Sequence, residues 1–310
     1  MKTSDNSDEH ANNAMPRSVA ILGLGLMGGS LGLALRARGF AGRISGFARR
    51  AAVREQALRR GAVNEAHDDP LETVRGADAV AICVPVLTIP VLAEICAPAL
   101  EETAAVTDVG STKTWIVRSV RVALGTAANR FVGSHPIAGS ERQGLDAADP
   151  DLYQGACVVL TPTDDTKAAA VKTIRALWQK AGARVVELSA EEHDRRLART
   201  SHLPHVVASM LAAAVGRDGG AECGPFCGNG FRDTTRVADG SPELWRDIVR
   251  TNAAALLTEM EAFTERWEAF ANALRREDYE EIGRLLERGR CGRRALLGES
   301  APSSPRMDSA

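Results

Sequence analysis

Two short glycine-bearing segments hold the residues able to do chemistry. Gly23-Leu-Gly-Leu-Met-Gly28 has the spacing of a dinucleotide-binding turn, and about a hundred residues later Gly133-Ser-His-Pro-Ile-Ala-Gly139 sets one imidazole, His135, among small residues. Histidine is the side chain best matched to proton transfer near neutral pH. A dinucleotide brings hydride chemistry, so the two segments together imply an oxidoreductase with a histidine acid or base. Ser111, after Asp108-Val-Gly110, offers a hydroxyl that could orient His135 or a substrate. Pro136 stiffens the loop in which His135 is expected, and Gly139 admits a close approach. A histidine between small residues and a proline is equally a plain turn residue, and spacing alone leaves both readings open.

The glycine fingerprint is weak by itself. Here it follows a short apolar run, Ser18–Leu22, and opens a helical pattern from Leu26 to Arg38, the context that gives it meaning. Gly23 suits the tight turn, Gly25 lets backbone approach a pyrophosphate, and Gly28 allows close helix–strand packing. Leu26 and Met27 lie within the turn, and Val84 and Pro85 end a later strand, so all four are expected cofactor contacts. An NAD enzyme usually carries Asp or Glu at the end of its second strand. This chain reads Gly46-Phe-Ala-Arg-Arg50 there. Ala48 replaces the acid, and Arg49 and Arg50 suit a 2′-phosphate through charge-assisted contacts. NADP is therefore the expected cofactor, with NAD second. Two solvated arginines opening a helix are the plainer reading.

These residues need a scaffold of alternating strands and helices. Strands are expected at 18–22, 43–47, 78–84, 104–108, 130–133, 156–160 and 184–188, with helices at 26–38, 51–60 and 166–181 between them. That alternation predicts an α/β Rossmann-type, doubly wound parallel sheet over 17–189. His135, following a strand, belongs at the carboxyl edge where such folds bind ligands. From 190 to 297 only long helices are read (190–216, 242–274, 277–289). They form an all-α substrate and dimerisation domain, and a homodimer is expected. Residues 1–16 and 298–310 read as disordered tails.

Composition narrows the function classes. A net charge of −2 gives no basic excess for nucleic acid, and 4% aromatics give few stacking platforms. No membrane span or secretory signal is read, which fits the cytoplasm. The six cysteines are scattered. Cys223 and Cys227 form the one close pair, without a second pair at zinc spacing, so no metal is expected.

As a set, five motifs are similar to the prephenate and arogenate dehydrogenases of tyrosine biosynthesis, over roughly residues 18 to 290. They are Gly23-Leu-Gly-Leu-Met-Gly-Gly-Ser30, Asp108-Val-Gly-Ser-Thr-Lys113, Gly133-Ser-His-Pro-Ile-Ala-Gly-Ser-Glu141, Ser201-His-Leu-Pro-His205 and Gly230-Phe-Arg-Asp-Thr-Thr-Arg236. The resemblance implies that His135 takes the ring-hydroxyl proton and that Ser111 helps position that hydroxyl and the nicotinamide. It implies that Arg236 grips the side-chain carboxylate, that His202 and His205 line the substrate pocket, and that Ser140 and Glu141 stand at its mouth. Trp245 matches a tryptophan that reaches the site from the second subunit of a dimer. The expected reaction is oxidative decarboxylation of prephenate. Arogenate dehydrogenase or a dual cyclohexadienyl dehydrogenase is the alternative.

Residue by residue, plainer readings stand beside these. His202 and His205, three apart, could be core or capping histidines, with Pro204 kinking or restarting their helix. Arg236 could be a surface ion pair, and Trp245 a core or interface filler. His193-Asp194 reads as an exposed helix start without a role. Asn229 stands where relatives often have a longer glycine run, which puts family-type feedback by tyrosine in doubt. No effector or mutase segment is read, so a single activity is expected. A β-hydroxyacid dehydrogenase would need a lysine in the 190–207 region, where arginines and histidines stand instead. A cofactor-sensing module without catalysis would not need Ser111, His135 and Arg236 together.

Overall fold

The computed structural model describes residues 14–139, 142–217, 220 and 222–299. Ser140, Glu141 and most of both expected tails therefore lie outside the described residues.

Eight strands build one sheet: β1 (Ser18–Leu22), β2 (Arg43–Phe47), β3 (Glu65–His67), β4 (Ala79–Ile82), β5 (Ala105–Asp108), β6 (Phe131–Ile137), β7 (Cys157–Thr161) and β8 (Arg184–Glu187). Their spatial order is β3-β2-β1-β4-β5-β6-β7-β8. In β1 successive side chains feed opposite faces. Val19 and Ile21 join one apolar layer with α1 (Leu26–Ala37), α2 (Ala51–Arg59) and α6 (Ala168–Lys180). Ala20 and Leu22 join the other, with α3 (Pro70–Val74), α4 (Ile89–Cys96) and α5 (Thr114–Leu124). The period-2 alternation of a strand thus requires helices on both faces, the doubly wound arrangement.

Two expectations need correction. The sheet is not wholly parallel, because β6 and β7 pair antiparallel, Gly133 opposite Thr161 through Ile137 opposite Cys157. Among its described residues the connection between them carries a short 3₁₀ turn, Leu145–Ala147, and not the crossover helix that usually joins parallel strands. That connection instead lies across α1. Tyr153 donates its hydroxyl proton to the Met27 carbonyl at 2.7 Å, and the Asp149 amide donates to Ser30 Oγ at 2.9 Å. A Cβ on Gly29 would collide with Leu145, which accounts for the extra glycine after the fingerprint. The second correction concerns His135, which sits on β6 rather than in a loop after it. β5 pairs with β6 only at Val106–Phe131 and Thr107–Val132. Beyond that point β6 overruns β5, so His135 still projects past the carboxyl edge of the parallel strands.

Beyond the sheet come α7 (Ala190–Leu197), a π-helical turn (Ala198–His202), α8 (Leu203–Val215), α9 (Asn229–Thr235) and α10 (Pro242–Thr251). Ser189 caps α7 by accepting from the Glu192 amide at 3.1 Å. Pro204 is the second residue of α8, which continues the π-helical turn without a break, so its missing N–H leaves one fewer bond between turn and helix. By compactness the chain divides at Leu256–Leu257, later than the change in element type near 189.

That division falls within α11 (Ala253–Arg275). In the second unit α12 (Tyr279–Leu297) follows, its N-terminus capped by Asp278, which accepts from the Glu281 amide at 2.9 Å. This unit exposes Leu257, Trp267, Leu274 and Leu286. No described helix is long and apolar enough to cross a membrane.

Candidate active site

A cavity of about 720 Å³ opens at the carboxyl edge of the sheet, within the first unit. Its floor is the glycine turn and the ends of β4 and β5, with Gly25, Leu26, Met27, Val84 and Pro85 on its wall. Gly23 has φ 109°, the left-handed region, and a Cβ there would crowd the Cys83 carbonyl. Gly25 is different, for a Cβ on it would meet nothing within 4 Å. The backbone at the start of α1 is thus bare toward the cavity. That helix start has no side-chain cap and no acid in its first turn. Its free N–H groups and the helix dipole suit a phosphate group, so these residues fit a dinucleotide.

At the end of β2, Ala48 is buried and Arg49 and Arg50 are exposed outside the cavity wall. A third arginine, Arg54, donates to the Ala48 and Arg49 carbonyls at 2.9 and 3.0 Å and pairs with Asp68 at 3.1 Å. The strand end thus carries no carboxylate, and the nearby Asp68 is already engaged.

The opposite wall carries Ser111, His135, His205, Arg236 and Trp245. Residues far apart in sequence therefore share one space. Arg236 opens the short turn after α9, and Trp245 lies on α10. His205 stacks on Trp245 with ring centroids 3.5 Å apart. Trp245 thus lines the cavity of its own chain. His202 needs correction. It is buried behind the cavity, where Asn252 Nδ2 donates to its Nδ1 at 3.1 Å and its Nε2 has no partner among the described residues.

The largest surprise is around His135. Its Nδ1 lies 2.8 Å from His193 Nε2, where the motif suggested Ser111 as the orienting group. His193 Nδ1 in turn lies 2.8 Å from Asp194 Oδ1. Far from an exposed helix start, His193 is wholly buried and Asp194 nearly so. The Lys113 and Thr114 amides donate to the two Asp194 oxygens at 2.7 and 2.8 Å. One signal in the sequence pointed this way: α7 has acids at its start and arginines at its end, yet a histidine and an aspartate fall on the face shared with Leu197.

Beneath them lies a buried ion pair. Lys113 Nζ donates to Asp108 Oδ2 and, at 2.7 Å, to the Ser134 carbonyl. The Ser134 amide donates to Asp108 Oδ1 at 3.1 Å. Burial, then the neighbouring His193, Lys113 and His202, holds the His135 imidazole well below its usual range. Burial likewise lowers His193, and it brings His202 to about 4.

These three rings stay neutral in the fold while the unfolded chain protonates near pH 6.5. Below that value the unfolded state binds more protons, so stability is full above about pH 6.5 and falls as the pH drops toward the folded values. Urea unfolding at pH 7.5 and 5 checks this. A midpoint unchanged or higher at pH 5 would contradict it.

Against this geometry stand the comparisons with known proteins. A model described as prephenate dehydrogenase, nucleotide-binding domain, matches residues 31–187, and one described as prephenate dehydrogenase, dimerization domain, matches 189–288. The chain belongs to the prephenate dehydrogenase family. It is 36% identical over 265 residues to the cyclohexadienyl dehydrogenase of Zymomonas mobilis, covering 84% of this chain and 90% of that one. Among solved structures, Aquifex aeolicus prephenate dehydrogenase in complex with hydroxyphenyl propionate and NAD+ aligns with a TM-score of 0.83. It is 33% identical, over 90% of this chain and 98% of that chain. Synechocystis arogenate dehydrogenase aligns at 0.77, 31% identical, over 90% and 99%. Family membership sets aside the β-hydroxyacid dehydrogenase and sensing-module readings.

Proposed function

We propose that this protein is an NAD(P)-dependent prephenate dehydrogenase, converting prephenate to 4-hydroxyphenylpyruvate and carbon dioxide. The observation that carries this is one cavity shared by the glycine turn, His135 and Arg236. Prephenate presents a carbinol and two carboxylates on a cyclohexadiene ring. Arg236 holds the side-chain carboxylate, for a guanidinium matches a carboxylate bidentately. The neutral imidazole of His135 takes the hydroxyl proton as the carbinol becomes carbonyl-like, and Ser111 helps position that hydroxyl. Gly25, Leu26, Met27, Val84 and Pro85 hold the dinucleotide, which when bound accepts the hydride. Carbon dioxide loss makes the ring aromatic and supplies the driving force. The protein's contribution is orientation and preorganised charge.

The test is a two-by-two assay following reduced nicotinamide at 340 nm, with NADP or NAD and prephenate or arogenate. Turnover with prephenate is expected, and none with either substrate would overturn the reading. Arogenate is a second reading because Glu243 and Asp247 also line the cavity and could receive its ammonium group.

We infer a preference for NADP from Ala48, Arg49 and Arg50. Replacing both arginines by alanine should raise KM for NADP roughly 10- to 100-fold, the worth of a hydrogen bond to a charged group. KM for NAD should move little, and equal change with both cofactors would contradict the assignment. We also infer a homodimer, supported by the match to a dimerization domain and the exposed apolar side chains of α11 and α12.

A further inference from the structure

We propose that His193 and Asp194 act as positioning residues that fix the tautomer of His135, leaving its Nε2 as the bare, proton-accepting nitrogen. The inference rests on the reading of His135 as the base, and it follows from hydrogen-bond direction. Asp194 Oδ1 and Oδ2 already accept from the Lys113 and Thr114 amides. An ionised carboxylate can only accept, so His193 Nδ1 must be its N–H donor. Burial pushes the Asp194 carboxyl up, but the hydrogen bonds from His193, Lys113 and Thr114 outweigh that and hold it below its usual range. A neutral His193 that donates from Nδ1 has a lone pair at Nε2. His135 Nδ1, 2.8 Å away, must then carry a proton and donate it. A neutral His135 protonated at Nδ1 has its lone pair at Nε2. Two rings are thereby set by one carboxylate.

The surrounding charges favour this state. Lys113, from the β5–α5 connection, faces both rings, and His202, from the π-helical turn, faces His135. Asp108, from β5, faces His193 but is itself paired with Lys113. When Nε2 accepts the substrate proton, the O–H bond breaks and an N–H bond forms. The imidazolium charge then spreads across the His135–His193 hydrogen bond toward the Asp194 carboxylate. This arrangement has the logic of a base oriented by a second group that is itself anchored.

The test is ¹⁵N NMR of the full-length protein with labelled histidines at pH 7.5, assigned with a His135→Asn sample. The expected result is an N–H-type resonance for His135 Nδ1 and a lone-pair-type resonance for Nε2. The reverse pattern, or rapid averaging of the two, would overturn the proposal. A second arm is Asp194→Asn. The neutral amide leaves one acceptor oxygen for three N–H donors, which should shift the ¹⁵N pattern of His135 and lower kcat roughly 10²-fold or more, with substrate KM little changed. An unaltered pattern and kcat in a folded variant would also overturn it. If the variant does not fold, the wild-type spectrum decides alone. Wild-type protein with the expected tautomer but no turnover would sink the functional reading and leave this inference standing. Turnover with a protonated Nε2 would do the opposite.

Discussion

Replacing His135 by asparagine should lower kcat by roughly 10²–10⁴-fold, the usual contribution of a positioned general base. Asparagine keeps a hydrogen-bonding group at the site but cannot take a proton at neutral pH. Arg236, proposed to hold the substrate carboxylate, is untouched, so KM should change by less than about threefold, a split that marks an interaction made in the transition state. Wild-type kcat/KM should also stay flat from pH 8 down to 6. The buried imidazole, beside His193, Lys113 and His202, titrates well below 6.5, so the base stays unprotonated across that window. Steady-state kinetics across pH with both proteins provides the check. A loss smaller than tenfold, or a wild-type acid limb centred near 6.5, would remove His135 from the role assigned to it.

The second large effect is on stability. Lys113→Met should cost about 3–5 kcal/mol, the usual result of removing one partner from a buried ion pair. Lys113 and Asp108 are both fully buried. The ammonium neutralises Asp108 and also ties down the Ser134 carbonyl on β6. Without it a carboxylate remains in the interior, and the strand that carries His135 loses an anchor. The control is the double variant Lys113→Met, Asp108→Asn. It removes the uncompensated charge, so urea unfolding should show much of the loss restored. If the single variant is as stable as wild type, the pair does not hold the site together. If the double variant is worse than the sum of its parts, charge neutralisation is the wrong account of the pair.

Much of this architecture was legible because its signals are local. β1, the glycine turn and α1 announce themselves by an apolar run, a spacing and a helical period within about twenty residues. His135, Arg236, His205 and Trp245 were found as motif positions, and the cavity brings them together. What escaped depends on distant contacts. β3, Glu65-Ala-His67, has no apolar run, since it is a half-buried edge strand held by pairing with β2. The antiparallel turn of β7 depends on how the 138–156 connection lies on α1. His193-Asp194 sits in a strongly polar octapeptide, Ala190–Leu197, whose composition reads as solvent-facing. Its burial comes from the Lys113 and Thr114 amides some eighty residues earlier in the chain. Asp108 and Lys113 stood in a quoted motif, but only Ser111 among them carried obvious chemistry. An ion pair five residues apart shows its meaning only when its burial is known.

The π-helical turn at Ala198–His202 bears on how this site tolerates change. Along an ordinary α-helix each residue advances about 100°, so His193 and His205, twelve positions apart, would point roughly 120° away from one another. A π turn accommodates one additional residue. Discounting it brings the two directions to within about 20°, and both rings can serve the same side of the helix pair. The phase of the site is therefore written in the length of a segment, not in the identity of its residues. Inserting one residue into Ala198–His202 would turn one imidazole by about 100° relative to the other, with every side chain of the site still present. In this chain an insertion can silence the chemistry more completely than most point substitutions.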